Sequence, residues 1–330
     1  MKSNSSKIPN LRSERGSAVY SFLGFAIVAV CVIMAIFVFP WHQLGSSGQD
    51  TNYLSGMGAL KNKQYTEALS YFDKSIRGNA NNGAAYLGRA KANLHLGNID
   101  KALDDANQAV EKKAGAEAYG QRGVIKKIQK KTDEALKDFA EAIKLDAKYA
   151  WAYAQRADIF SKQKDYDKAL KDANDAVKAN DRFVEGYRLR AWVLTRQGKC
   201  KDASLDFITV EKLSPNDALS MQDKAWFLLT CPDEKLQDTA KAMELAKKAV
   251  EISKEKDGVA LETLAEACFR QGDALKAVEY QKKAIALGSK NCPDGSCVKE
   301  MQQRLQKYEL ASRQEVRSGY EILPLDSSLR

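Results

Sequence analysis

From residue 49 to 291 the chain repeats itself about every 34 residues, and a period of that length leaves few folds open. The recurring alanines are Ala68, Ala102, Ala135, Ala169, Ala203, Ala242 and Ala277, at successive gaps of 34, 33, 34, 34, 39 and 35. Twelve residues before most of them stands another small residue: Gly56, Ala90, Gly123, Ala157, Ala191 and Ala265. Seven residues after each comes a third small or slim one: Ser75, Ala109, Ala142, Ala176, Val210, Ala249 and Ala284. Units this short cannot bury an apolar face alone, so a fixed period implies a solenoid whose neighbours share one core.

Each unit reads as two helices and a turn. In the fourth, Tyr153, Ala157 and Phe160 fall at helical spacing, Lys164-Asp165-Tyr166 interrupts, and Asp167 is placed as the N-cap of a second stripe. That stripe is Ala169, Leu170, Ala173, Ala176 and Val177. Gly97, Gly198 and Gly272 occupy the turn, where a helix C-cap favours glycine. A short turn makes the two helices antiparallel neighbours, and small residues at their crossing allow close approach.

The segments AYLGRAKANLHLGNIDKALDDANQAV (85–110) and AYAQRADIFSKQKDYDKALKDANDAV (152–177) resemble the tetratricopeptide repeat family. The resemblance covers seven units near 49–82, 83–115, 116–149, 150–183, 184–217, 218–257 and 258–291. It implies an all-α, right-handed superhelical solenoid. The family's terminal proline is nearly absent, Pro215 being the one well placed. The sixth unit departs most: its first helix is expected to end near Thr230, and TCPDEKLQDTAKA lengthens its turn by five residues.

Because the units are copies, the chain can be read against itself. Arg89, Arg122, Arg156 and Arg190 share one position in units two to five, and Asp105, Asp138, Asp172 and Asp206 follow each by sixteen residues. Units one and seven have neither, carrying Ser55 with Tyr71 and Leu264 with Tyr280. Residues that come and go together point to ion pairs between the two helices, for which the planar guanidinium is suited. A basic ladder for acidic ligands would not bring the aspartates with it.

Ahead of the solenoid, residues 18–39 carry no charge, and 22 residues at ~1.5 Å each span a bilayer core. Tyr20 and Trp41 flank the run as interfacial aromatics do. A cleaved signal peptide is the competing reading, but its apolar core is shorter and VFPWHQLG offers no small-residue cut site. An uncleaved transmembrane helix in contact with the lipid bilayer is therefore expected. The tail 1–17 holds Lys2, Lys7, Arg12 and Arg15 against Glu14, and after the span no Lys or Arg appears before Lys61. That asymmetry orients the N-terminus to the cytosol and the solenoid to the extracytoplasmic side. Residues 40–48 form a Gly/Ser-containing linker.

The formal net charge is +9, of which the tail supplies a third, and the rest is spread over interleaved acids and bases. No basic stripe with regular aromatics is present, so nucleic acid is not an expected partner. No phosphate-cradling loop or catalytic histidine motif appears, and no enzymatic activity or cofactor is expected. With His42 and His95 as the only histidines, metal binding is not expected either. Cys292 and Cys297 bracket a Pro-Asp-Gly-Ser turn that could close a disulfide in an oxidising compartment, a reduced pair being the alternative. Cys200 and Cys268 fall at helix positions and read as buried small hydrophobes.

In tetratricopeptide arrays the first helices line a concave face that takes an extended peptide or a partner's helix. Carried over by position, that face offers Tyr53, Met57, Leu60, Leu87, Lys91 and Leu94 early in the chain. Later units offer Trp151, Lys162, Arg188, Trp192, Arg196, Trp226, Phe269 and Arg270. Aromatic anchors beside arginine dominate many interfaces; the alternative is that the tryptophans fill gaps between neighbouring helices. The Lys/Asn/Arg clamp that some members use for a C-terminal carboxylate is not recognisable. Residues 292–310 read as a Cys loop and a capping helix, with Met301, Leu305 and Tyr308 on its apolar stripe, and 311–330 as a mobile tail. The expected function is a membrane-anchored scaffold for protein–protein interaction. The alternatives are a chaperone-like holder of exported polypeptides and a non-catalytic accessory subunit of a membrane enzyme complex.

Overall fold

A computed structural model of the protein describes residues 50–291 and 296–321. The expected transmembrane segment, its tail and its linker lie outside the described residues. Among those described, no helix is long and apolar enough to cross a membrane.

The described chain is all helix and turn. Helices pair in sequence as α1 (Thr51–Lys61) with α2 (Tyr65–Gly78), α3 (Gly83–His95) with α4 (Ile99–Glu111), and α5 (Ala116–Ile128) with α6 (Thr132–Leu145). The series continues with α7 (Ala150–Lys162) and α8 (Tyr166–Ala179), then α9 (Val184–Arg196) and α10 (Cys200–Leu213). It ends with α11 (Ala218–Thr230) and α12 (Thr239–Ile252), α13 (Gly258–Arg270) and α14 (Ala274–Asn291), and the single α15 (Ser296–Glu321). Each pair packs on the next, so the core is a row of linked clusters rather than one centre.

The periodic small residues sit where the helices cross. All seven recurring alanines are fully buried. At Gly123 a Cβ would approach the fully buried Phe139 ring at 2.8 Å, which is why the large ring and the glycine occur in one unit. Gly56 and Phe72 repeat the arrangement in the first unit, whereas units two and four carry Ala90 and Ala157 in the glycine's place and Ala106 and Ala173 in the ring's. Gly97, Gly198 and Gly272 do take positive φ in the turn, and Lys63, Lys130 and Lys164 adopt it at the equivalent places.

Three expectations need correcting. The N-cap of α8 is Asp165, whose carboxylate accepts from the Lys168 N–H at 3.2 Å, and Asp167 lies inside the first turn. The last helix is not confined to 298–310. It runs to Glu321, and within that extension Glu315 Oε1 accepts the Ala274 N–H at 3.0 Å, capping the start of α14 from a distance. Third, Cys200 is not merely a small hydrophobe: it forms a disulfide with Cys231, joining the start of α10 to the end of α11. Cys268 is free and buried, while Cys292 and the loop after it lie outside the described residues.

The inserted segment of the sixth unit folds back on that disulfide. A short 3-10 turn, Glu234–Leu236, carries it; Gln237 Nε2 donates to the Cys231 carbonyl at 2.8 Å and the Asp238 N–H to that of Leu228 at 3.2 Å.

Candidate functional site

The four repeated arginines are structural. Arg89, Arg122, Arg156 and Arg190 each bind their own unit's aspartate through Nε and Nη2, with closest distances of 2.6, 2.7, 2.7 and 2.6 Å. The four aspartates are all buried. Tyr86, Tyr119, Tyr153 and Tyr187, one turn earlier, stack on the same guanidinium groups at 5.3–5.9 Å. The Asp172 hydrogen bonds raise the pKa of Arg156 against the opposing effect of burial.

From unit four onward the first helices enclose two adjoining hollows. One, of about 430 Å³, is floored by Trp226, Phe227 and Phe207 and walled by Trp192 and Arg196 of α9 and by Arg304 of α15. The other, of about 550 Å³, lies between α7, α9 and α11 and includes Lys162, Arg188 and Leu219. Trp192 and Asp223 belong to both.

Most of the charge lining the first hollow is paired, Arg196 being the exception among the described residues. Arg188 Nε and Nη2 reach Asp223 Oδ2 at 2.7 and 2.5 Å. Arg304 pairs with Glu262 and lies 4.9 Å over the Trp226 ring. Burial pushes the carboxyl groups of Asp223 and Glu262 above the usual carboxylate range, with Arg188 and Arg304 acting in the opposite direction. Arg196 stacks 4.9 Å over Trp192 and is exposed.

Two models described as tetratricopeptide repeat match the chain, one at residues 53–118 and 154–218, the other at 116–149. Over those residues the helix pairs match the tetratricopeptide repeat. Tetratricopeptide repeat protein 36 of Xenopus tropicalis is 37% identical over 100 residues, which is 29% of this chain and 50% of that relative. The chain therefore spans about half the length of that relative. A tetratricopeptide repeat protein from Parabacteroides merdae superposes with a TM-score of 0.58 at 16% identity, covering 79% of this chain and 100% of that one. Cut9–Hcn1, an APC/C hetero-tetramer, gives 0.64 at 11% identity, covering 81% of this chain and 50% of that one. At such identities the two structures establish the fold alone.

Of the tetratricopeptide positions singled out in the sequence, the structure gathers Arg188, Trp192, Arg196 and Trp226 around the hollows. Trp151 is elsewhere, packed edge-on against Phe139 at 6.3 Å and against Tyr149 at 5.8 Å. Phe269 is occupied by Tyr308 at 4.8 Å and Lys307 at 4.5 Å, because α15 lies against it. Arg270 is held by Glu266 at 2.7 Å and lines neither hollow.

Sequence reasoning missed Gln222, Asp223, Glu262 and Arg304. The last two had a readable signal. Unit seven lacks the Arg–Asp module yet carries the buried Glu262, whose ion-pair partner comes from outside the unit: α15 supplies Arg304, and its Tyr308 donates to Glu266. Asp223 has no such signal, since its counterparts one and two units earlier are Leu189 and Gln155.

Proposed function

We propose that the chain is a membrane-anchored tetratricopeptide scaffold that holds a protein partner in the groove of α7, α9, α11, α13 and α15, on the extracytoplasmic side of the membrane. The observation that carries the groove reading is the pair of adjoining hollows at Trp192 and Asp223. They hold two partly buried tryptophans, Trp192 against Tyr166 and Trp226 under Arg304, and the exposed Arg196. Buried aromatic anchors with flanking arginine supply most of the energy at many protein interfaces. In units two to five, by contrast, the repeated arginines are spent on internal pairs.

Two independent features support the compartment. The basic residues before the apolar run 18–39 favour a cytosolic N-terminus. The Cys200–Cys231 bond belongs to an oxidising environment, since cytosolic thiols are ordinarily kept reduced.

The groove is tested by replacing Thr195 with a photo-reactive phenylalanine in the full-length chain and irradiating intact cells. A single stoichiometric adduct supports a dedicated scaffold, and a smear of many clients favours a holder of exported polypeptides. Adducts formed from the convex Leu205 but not from position 195 would remove the groove from consideration. The compartment is tested with a C-terminal reporter that works only outside the cytosol. A silent reporter on an intact, expressed fusion reverses the topology.

A further inference from the structure

The charged side chains lining the cleft beneath Trp192 are Arg196, Asp223, Glu262, Glu300 and Arg304. Asp223 is bound by Arg188 and Glu262 by Arg304, and Glu300 stands 4.0 Å from Arg304 on the rim. Arg196 alone among them has no carboxylate within ion-pair distance among the described residues. Its guanidinium is nevertheless placed, 4.9 Å over the Trp192 ring, where a cation–π attraction favours it. A stacked guanidinium keeps its in-plane N–H edges open, and an edge of that shape matches a carboxylate through two parallel hydrogen bonds.

A second group in the same cleft lacks a partner. Gln222 is only 6% exposed, and its Oε1 is buried without a hydrogen bond. A buried acceptor in that state is destabilising, and a donor brought into the cleft relieves it. The floor around both is apolar: Trp226, Phe227 and Phe207. One unpaired cation, one unpaired acceptor and an aromatic floor together fit a stretch of polypeptide bearing a carboxylate beside an apolar side chain.

We propose that this cleft takes an internal acidic residue of an extended partner segment, its carboxylate on Arg196 and a neighbouring apolar side chain on Trp226. The Gln222 amide accepts a backbone N–H of the same segment. The acid is internal rather than a chain end because Trp192 is shared by both hollows. A segment following the groove passes Arg196 with chain on either side. This rests on the reading that the groove holds a protein partner, and adds what that partner must present.

The test uses the full-length chain in detergent and four fluorescein-labelled dodecapeptides sharing a Gly-Leu-X-Phe-Gly core. In three of them both ends are blocked and X is Asp, Asn or Lys; in the fourth X is Asn and the only carboxylate is a free C-terminus. Fluorescence polarisation is expected to show the Asp peptide binding roughly tenfold tighter than the Asn peptide, the scale of a charge-assisted hydrogen bond. Arg196→Gln should erase that ratio while leaving the Asn peptide unchanged, and Trp226→Ala should weaken all four. Thermal melts of both variants guard against misfolding, and Arg196→Lys, which keeps the charge without the planar fork, should restore only part of the ratio. Equal affinity for Asp and Asn, preference for Lys, preference for the free C-terminus, or no binding by any peptide would each overturn the proposal. If cross-links from position 195 persist while the Asp preference is absent, the groove reading survives and this inference falls. Loss of those cross-links removes both.

Discussion

Units two to five and the end of the array after Ala218 solve one problem in different ways. Each regular unit ties its two helices with an arginine on the first helix paired to a buried aspartate on the second, and Arg89, Arg122 and Arg190 also reach Asp73, Asn107 and Asn174 of the unit before. In unit seven those positions are Leu264 and Tyr280, which join the largest apolar cluster instead. Ion pairing moves outward there, to Glu262 and Glu266 meeting Arg304 and Tyr308 of the last helix. Unit six uses neither: Lys224, in the arginine's place, pairs with Glu211 of the preceding unit at 2.5 Å. The contrast separates a repeat that carries its own inter-helix ion pair from one whose pairing is supplied by its neighbours. The groove is built where units depend on one another, since its lining comes from α9, α11, α13 and α15 together. A surface that no single repeat encodes is free to differ from the repeat.

The disulfide is the sharpest instance of that dependence, and removing it should have the largest effect. Cys200 and Cys231 close a segment of 31 residues across the boundary of units five and six. Chain-entropy reasoning for a loop of that size gives about 3–4 kcal/mol. Replacing both cysteines with alanine is expected to lower stability in urea by that order. The loss should be concentrated in the half of the array that holds Trp192 and Trp226, so tryptophan fluorescence should change at lower urea than circular dichroism. Coincident transitions would mean that the array unfolds as one unit and that the two halves are not energetically distinct. A loss below about 1 kcal/mol would show that the inserted segment is held by its backbone hydrogen bonds and apolar contacts rather than by the bond.

How much of this could be read from the sequence follows from which features are periodic. The paired helices, the buried alanines and the Arg–Asp pairs all recur, so seven noisy copies reinforce one signal. The same logic exposed the five-residue insertion as a break in the spacing. Position in a unit also carried Arg188, Trp192, Arg196 and Trp226 to the groove. Trp151, Phe269 and Arg270 line neither hollow, because residues at equivalent positions meet different neighbours: Phe139, Tyr308 and Glu266 respectively. The disulfide was missed because Cys200 was judged by its own helix position alone. Its partner lies three residues short of one full period ahead, an offset that brings the start of a second helix near the end of the next first helix. Asp223 and Gln222 occur once, and a feature that occurs once leaves no period to read.

The comparison can also be attacked by moving one solution into the other region. Asp172 is buried and bound to Arg156 at 2.7 and 2.8 Å, so Asp172→Asn leaves a half-buried guanidinium without its counter-charge. Removing one partner of a fully buried pair costs about 3–5 kcal/mol, and the partial exposure of Arg156 brings the expectation to roughly 2 kcal/mol. The double change R156L/D172Y installs the pair found in unit seven. If leucine and tyrosine are an equivalent way to join the two helices, the double variant should lie closer to the parent than Asp172→Asn does, since replacing a buried ion pair by packed apolar groups is often nearly neutral. Urea titration of both variants decides the matter. A double variant at least as unstable as the single one would mean that Leu264 and Tyr280 work only beside α15, whose Tyr308 belongs to the same cluster. Unit seven would then be a terminal structure dependent on its last helix, not a repeat that exchanged one bond for another.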